Sequence, residues 1–196
     1  MNFEKMNGGK MKYQIIYADP PYRYNDRMNM EGVHGKIQGA GSFYKTMTVE
    51  EIKTLPIKNI CSDNCYLFLW VTMPMLQEGL SIIKAWGFKY KTCGFTWLKT
   101  TQKSKIHFGG GHYTRGNAEL CLLGKKGKGK VINHSVSQIV ESPVRAHSQK
   151  PAIVREKIVQ LIGDVPRIEL FARQKVEGWN SIGFDIDGCD IRESLR

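Results

Sequence analysis

Residues 18–22 read ADPPY, which places one carboxylate, two consecutive prolines and a phenol ring directly after an apolar run. Proline fixes φ and removes a backbone donor, so Pro20 and Pro21 make a stiff corner whose carbonyls are left as acceptors. Asp19 adds a carboxylate acceptor, and Tyr22 a flat ring behind it. Acceptors held beside a ring suit one class of guest, a planar ring bearing an NH2 group. Asp-Pro-Pro-Tyr is also a common strand-to-loop turn, and four residues alone decide nothing. Its place after an apolar strand, in a basic chain, is what gives it chemical weight.

No metal or thiol cluster competes with this corner. The five cysteines (Cys61, Cys65, Cys93, Cys121, Cys189) are odd in number and scattered, which argues against a disulfide framework. Cys61 and Cys65 are four apart, yet no second Cys or His pair follows at zinc spacing, so they read as core thiols. The histidines form no ligand pair at helical spacing, and no metal is expected. Charge is more telling. With 29 Lys+Arg against 18 Asp+Glu, the chain carries +11 and a pI near 9.5. Such an excess points to a polyanionic partner, because neutralising phosphates releases counterions. Seven lysines fall in two stretches, LKTTQKSK (98–105) and GKKGKGK (124–130), and the glycines among them read as loops.

Groups like these need a scaffold. At 196 residues, 41% hydrophobic and 24% charged, residues 1–196 read as one globular domain with a sizeable core. No apolar run reaches the about 20 residues of a spanning helix, and MNFEKMNGGK lacks the apolar middle of a signal peptide, so a cytoplasmic protein is expected. KYQIIYA (12–18), CYLFLWV (65–71), KTCGFTWLK (91–99), AELCLLG (118–124), RIELFA (167–172) and SIGFDI (181–186) read as strands. Thr48 caps a short helix VEEIKTL ended by Pro56. MLQEGLSIIKAWG (75–87) follows with Leu76, Leu80, Ile83 and Trp86 on one face, and PAIVREKIVQLIG (151–163) with its stop at Gly163. Alternation of this kind predicts an α/β domain, a mostly parallel sheet with helices on both faces. Ligands in such sheets sit outside the carboxyl ends of the strands, where Asp19 falls. The long loop 23–47 and the segment 101–116, together with GKKGKGK, are candidates for a gate over an acceptor strand. No helix-turn-helix or zinc module is visible.

ADPPY resembles the catalytic motif of amino-directed, S-adenosylmethionine-dependent methyltransferases. Five further stretches are similar to one branch, the MT-A family of adenine-N(6) methyltransferases. They are YLFLWVT (66–72), WLKT (97–100), GHYTRGNAELCLLGKKG (111–127), HSQKP (147–151) and IELFARQKVEGWNSIGFDIDG (168–188), in the family's order. The resemblance implies a Rossmann-like class I methyltransferase fold in permuted order, with the catalytic motif ahead of the main cofactor-binding stretch near 147–188. It implies S-adenosylmethionine as cofactor and the exocyclic amine of adenine as acceptor.

By that resemblance Asp19 and the Pro20 carbonyl hold the two amino hydrogens, Pro21 stiffens the corner and Tyr22 stacks on the base. Tyr22 stands where the family's motif commonly has tryptophan. Lys150 of HSQKP lies near cofactor and acceptor; Phe171 and Arg173 of LFAR lie by the cofactor, the guanidinium meeting its carboxylate. Asp185 occupies a position that is usually an amide touching the cofactor ribose, and Phe184 that of another amide just before it in the cofactor-binding stretch; a carboxylate can accept both ribose hydroxyls. Arg115, Asn117 and Glu119 fall among substrate-side residues, and their alternate spacing would put them on one face of an extended segment. A structural salt-bridge set is the other reading of these three. Trp179 reads as core. The family's upstream acidic contact to the cofactor's adenine has no counterpart before the first strand. The expected function is therefore an adenine-N(6)-specific methyltransferase on DNA, of bacterial or phage type. RNA adenine or cytosine-amine methylation, and an inactive nucleic-acid-binding subunit of the same fold, are the alternatives. A second copy or a heteromeric chain is the further partner this family admits.

Overall fold

A computed structural model describes residues 11–24, 46–145 and 149–195. Within them β1 (Tyr13–Ala18), β2 (Cys61–Val71), β3 (Lys89–Thr100), β4 (Ala118–Lys126), β5 (Ile139–Pro143), β6 (Arg167–Leu170) and β7 (Asn180–Ile182) form one sheet, in the order β5-β3-β4-β2-β1-β6-β7. Only β4 runs antiparallel to its neighbours, β2 and β3; the other pairs are parallel. The helices are α1 (Val49–Lys53), α2 (Leu76–Ala85), α3 (Ile153–Ile162), α4 (Phe184–Asp187) and α5 (Ile191–Ser194). This is the expected Rossmann-like α/β architecture.

The two faces of the sheet follow from strand alternation. On one face Ile16 and Ala18 of β1, with Leu67, Leu69 and Val71 of β2, pack against Ile52 of α1, Ile82 and Ile83 of α2, and Ile191 of α5. On the other, Ile15, Tyr17, Tyr66, Phe68 and Trp70 meet Val154, Ile158 and Ile162 of α3. Each such aliphatic side chain contributes about 1.5–3 kcal/mol by leaving water. Trp179 belongs to this second core, its ring 5.8 Å from that of Tyr17. Cys61 and Cys65 are buried thiols. Thr48 does cap α1: its hydroxyl accepts the Glu51 amide at 3.2 Å, and Glu51 Oε2 accepts the Thr48 amide at 2.8 Å.

Two sequence expectations change, and one strand is added. Leu76 and Leu80 of α2 are each 36% exposed, and the buried stripe is Gly79, Ile82 and Ile83, continued by Trp86. The cause is Gly79: a Cβ there would overlap the Val71 side chain, so the bare backbone of the helix lies against β2 and turns the leucines outward. SIGFDI is not one strand. β7 stops at Ile182 and α4 begins at Phe184; Gly183 between them lies so close to the Ala172 backbone that a Cβ there would collide with it. β5 had no legible pattern, since it is an edge strand with a single buried side chain, Val140.

Candidate active site

The parallel strands bring Asp19, Thr72 and Phe171 to one edge, directly after β1, β2 and β6. β4, running the other way, delivers Glu119 at its beginning to the same edge, and Lys150 arrives just ahead of α3. Together with Tyr22, Arg173 and Asp185 these residues line a cavity of about 340 Å³. A second cavity of about 230 Å³ shares Asp19, Lys150, Phe171 and Arg173 with it and extends toward Arg155 and Glu169.

Charge in the site alternates along a chain of contacts. Lys150 Nζ donates to Asp19 Oδ2 at 2.7 Å and lies 3.4 Å from Glu119 Oε2, while Lys99 Nζ donates to Glu119 Oε1 at 2.6 Å. The Lys150 side chain is only 8% exposed, and its ammonium lies 5.6 Å from the Trp70 ring centroid. Burial alone would lower the Lys150 pKa, but Asp19 and Glu119 outweigh it and hold the ammonium above the ordinary lysine value. Burial pushes the Asp19 carboxyl above the usual aspartate value, with Lys150 acting against the shift. Glu119 ends below its usual value, because Lys150 and Lys99 overcome the burial. Lys99 was noticed by sequence only as part of WLKT and of the lysine stretch 98–105, not as a site residue, because its partner lies twenty residues on, across a strand pair.

The ADPPY corner is more occupied than its sequence implies. The Tyr22 amide donates to the Pro20 carbonyl at 2.9 Å and the Met47 amide to the Pro21 carbonyl at 2.8 Å, so neither acceptor is idle. Pro20 retains one lone pair for a guest. Tyr22 is also no open plate. It is 5% exposed, and its hydroxyl donates to the Trp70 carbonyl at 3.0 Å, which makes the ring a fixed wall of the cavity. Tyr24, two residues on and 40% exposed, adds a second phenol to the lining and shares a 3.0 Å hydrogen bond with Thr72. Spacing alone could have flagged it.

Of the remaining candidates, Phe171, Arg173, Phe184 and Asp185 all line the cavity. Phe171 has a φ of 60°, a conformation unusual for a side chain with a ring, and it turns the chain out of β6 so that Arg173 stands at the edge. Arg173 is near enough to Asp19 to favour its carboxylate. Arg115 is not brought in: it is exposed, and the strand that would alternate it with Glu119 begins only at Ala118. GKKGKGK is displaced more severely. Because β4 is antiparallel, Leu120 faces Val71 at the site edge while Lys126 faces Cys65 at the other end of β2. Six residues of strand put the lysine stretch about 20 Å from the site, so it does not gate it. His147 and residues 25–45 of the proposed gate lie outside the described residues.

A family model described as MT-A70 matches residues 13–185. The chain is 33% identical over 190 residues to the Type II methyltransferase M.MunI of Mycoplasma sp, covering 90% of this chain and 79% of that protein. The chain belongs to the MT-A70 family. Other relatives are longer. The N(6)-adenosine-methyltransferase catalytic subunit METTL3 of Homo sapiens is 30% identical over 92% of this chain, which spans 29% of it. The MT-A70-like N(6)-adenosine-methyltransferase of Arabidopsis thaliana is 29% identical, and this chain spans 25% of it. As an MT-A70 methyltransferase the chain uses S-adenosylmethionine as methyl donor. Among the described residues no helix is long and apolar enough to cross a membrane.

Proposed function

We propose that this MT-A70 chain methylates the exocyclic amine of adenine in DNA. One observation carries the reading: Asp19 and Pro20, adjacent in the chain, both line the cavity, and among the described residues the Pro20 carbonyl accepts a single backbone hydrogen bond, from Tyr22. When bound, S-adenosylmethionine supplies an electrophilic methyl group on a sulfonium. The residues of the cavity fit that molecule: the Arg173 guanidinium suits its carboxylate, Asp185 its ribose hydroxyls, and Phe171 and Phe184 its apolar surface.

The chain's own groups prepare the acceptor. An aromatic amine is a poor nucleophile because its lone pair is conjugated with the ring. Accepting one N–H at Asp19 and the other at Pro20 turns that lone pair out of conjugation and toward the methyl group, so that orientation and fixed charge supply the acceleration. Tyr22 bounds the base from one side. A carboxylate carries lone pairs on both oxygens, so Asp19 can accept the amine beside its 2.7 Å contact with Lys150, whose ammonium also lies 3.4 Å from Glu119, itself held by Lys99. After transfer the nitrogen sheds one proton, and Asp19 is the adjacent acceptor. A duplex substrate must first have its base flipped out.

The net charge of +11 supports a nucleic-acid acceptor, and coverage of most of a compact Mycoplasma relative supports DNA. RNA adenine is the second reading, favoured by 30% identity to an N(6)-adenosine-methyltransferase subunit over most of this chain. A cytoplasmic location belongs to the DNA reading. Labelled-methyl transfer to DNA and RNA oligonucleotides, followed by nucleoside analysis, tests both. N(6)-methyladenine from DNA, lost in Asp19→Ala, is the expected result. Label on RNA alone selects the second reading, and no label on any adenine substrate overturns the enzyme.

A further inference from the structure

The segment joining β3 to β4, residues 101–117, rises from the same edge as Asp19. Its stem belongs to the site, since Lys99 at the end of β3 holds Glu119 at the start of β4. The segment is folded rather than loose. The Thr101 amide donates to the Lys105 carbonyl at 2.7 Å, the His107 amide to Lys99 at 2.9 Å and the Gly116 amide to Gly110 at 3.1 Å. At Gly109 and Gly111 a Cβ would run into the carbonyls of Gly116 and Thr114, so two glycines let the strands of the loop cross closely.

This folded loop turns its rings outward. Phe108 is 76% exposed and Tyr113 fully exposed, beyond a half-exposed Ile106. Single exposed apolar side chains are ordinary, but two large rings on one ordered hairpin are not. The accompanying charge is of one sign. Residues 101–117 contain Lys103, Lys105 and Arg115 and no Asp or Glu. Cations on either side of two exposed aromatic rings are complementary to a strand that offers both phosphates and unstacked bases.

We propose that loop 101–117 is a platform for the acceptor strand, on which Phe108 and Tyr113 stack bases flanking the acceptor while Lys103, Lys105 and Arg115 meet phosphates. The platform rests on the nucleic-acid reading above and extends it, because it assigns strand binding to residues outside the cavity. Of the two segments the sequence offered beside the loop 23–47, it is 101–116 and not GKKGKGK that stands at the site edge.

The test is fluorescence anisotropy of a labelled single-stranded deoxyoligonucleotide across a salt series, with methyl transfer followed in parallel. Phe108→Ala/Tyr113→Ala should weaken binding by roughly 30-fold or more while leaving the salt slope unchanged, since stacking is about 1–3 kcal/mol per base and two rings are removed. Lys103→Ala/Lys105→Ala should instead reduce the slope of log K against log[salt] by about 1.4, at about 0.7 per single-strand phosphate contact. All four side chains point to solvent or lie on the loop surface, so an unchanged melting temperature verifies the fold. Parental affinity in the ring variant, with methyl transfer intact, overturns the platform and leaves the proposed function standing. A parent chain that neither binds nor methylates the oligonucleotide overturns both. Self-association abolished by the ring variant, with oligonucleotide affinity unchanged, reassigns the loop to a protein contact and also overturns the proposal.

Discussion

Lys150→Met removes one ammonium and keeps the length of the side chain, which isolates what that charge does between two carboxylates. Breaking a fully buried pair costs about 3–5 kcal/mol, mostly because the abandoned charge stays buried. Two features reduce the figure here. Asp19 keeps 26% of its side chain exposed, and Glu119 still has Lys99 at 2.6 Å. A loss of about 2–3 kcal/mol is therefore expected, which for a chain of this length is about 5–10 °C in melting temperature. The pH dependence carries the sharper signature. Without Lys150 the Asp19 carboxyl, already raised by burial, rises further. A carboxyl raised in the folded state destabilises above its folded pKa, and that penalty disappears as pH falls through it. In the parent, Glu119 is depressed, so its contribution is present above the ordinary glutamate range and is lost as pH falls. Both effects narrow the gap between parent and variant in acid. Calorimetric melting at about pH 8 and about pH 4, below the ordinary glutamate range, reads it directly. A loss below about 1 kcal/mol, the value of an exposed pair, or a gap that does not shrink in acid, would refute the network.

Two other perturbations probe the supports of the site. Arg155 grips Glu169 through two 2.7 Å hydrogen bonds with little exposure on either side chain, so Arg155→Met should cost about 3 kcal/mol, and Arg155→Met/Glu169→Leu should recover most of it; equal losses in single and double variants by denaturant melting would show that the pair is not what matters. Gly183→Ala places a methyl against the Ala172 backbone, which must push the Phe171–Arg173 turn aside. Calorimetric titration with S-adenosylmethionine should then show at least about a tenfold weaker binding, about 1.4 kcal/mol, and unchanged binding would show that the turn does not hold the cofactor.

Much of the positioning was legible from local chemistry. β1 and β2 stand out because their buried residues are unbroken apolar runs, the Thr48 cap because its partner is three residues away, and the end of α3 because Gly163 follows it. ADPPY was legible as the end of a strand for the same reason. What local pattern misjudged were residues whose surroundings come from elsewhere in the chain. Tyr22 reads as a flat ring for stacking, and only Trp70, forty-eight residues away, supplies the carbonyl that fixes it as a buried wall. Leu76 and Leu80 look buried until Gly79 meets Val71.

The sequence by itself determined that an acceptor-rich corner ends a buried strand in a basic α/β chain, because strand period, proline geometry and net charge are properties of neighbouring residues or of simple sums. Only the tertiary structure decided which charges reach that corner. A single antiparallel strand, β4, brings Glu119 to Lys150 and carries GKKGKGK to the opposite end of the sheet. Strand direction is settled by long-range pairing, and no window of local sequence contains it.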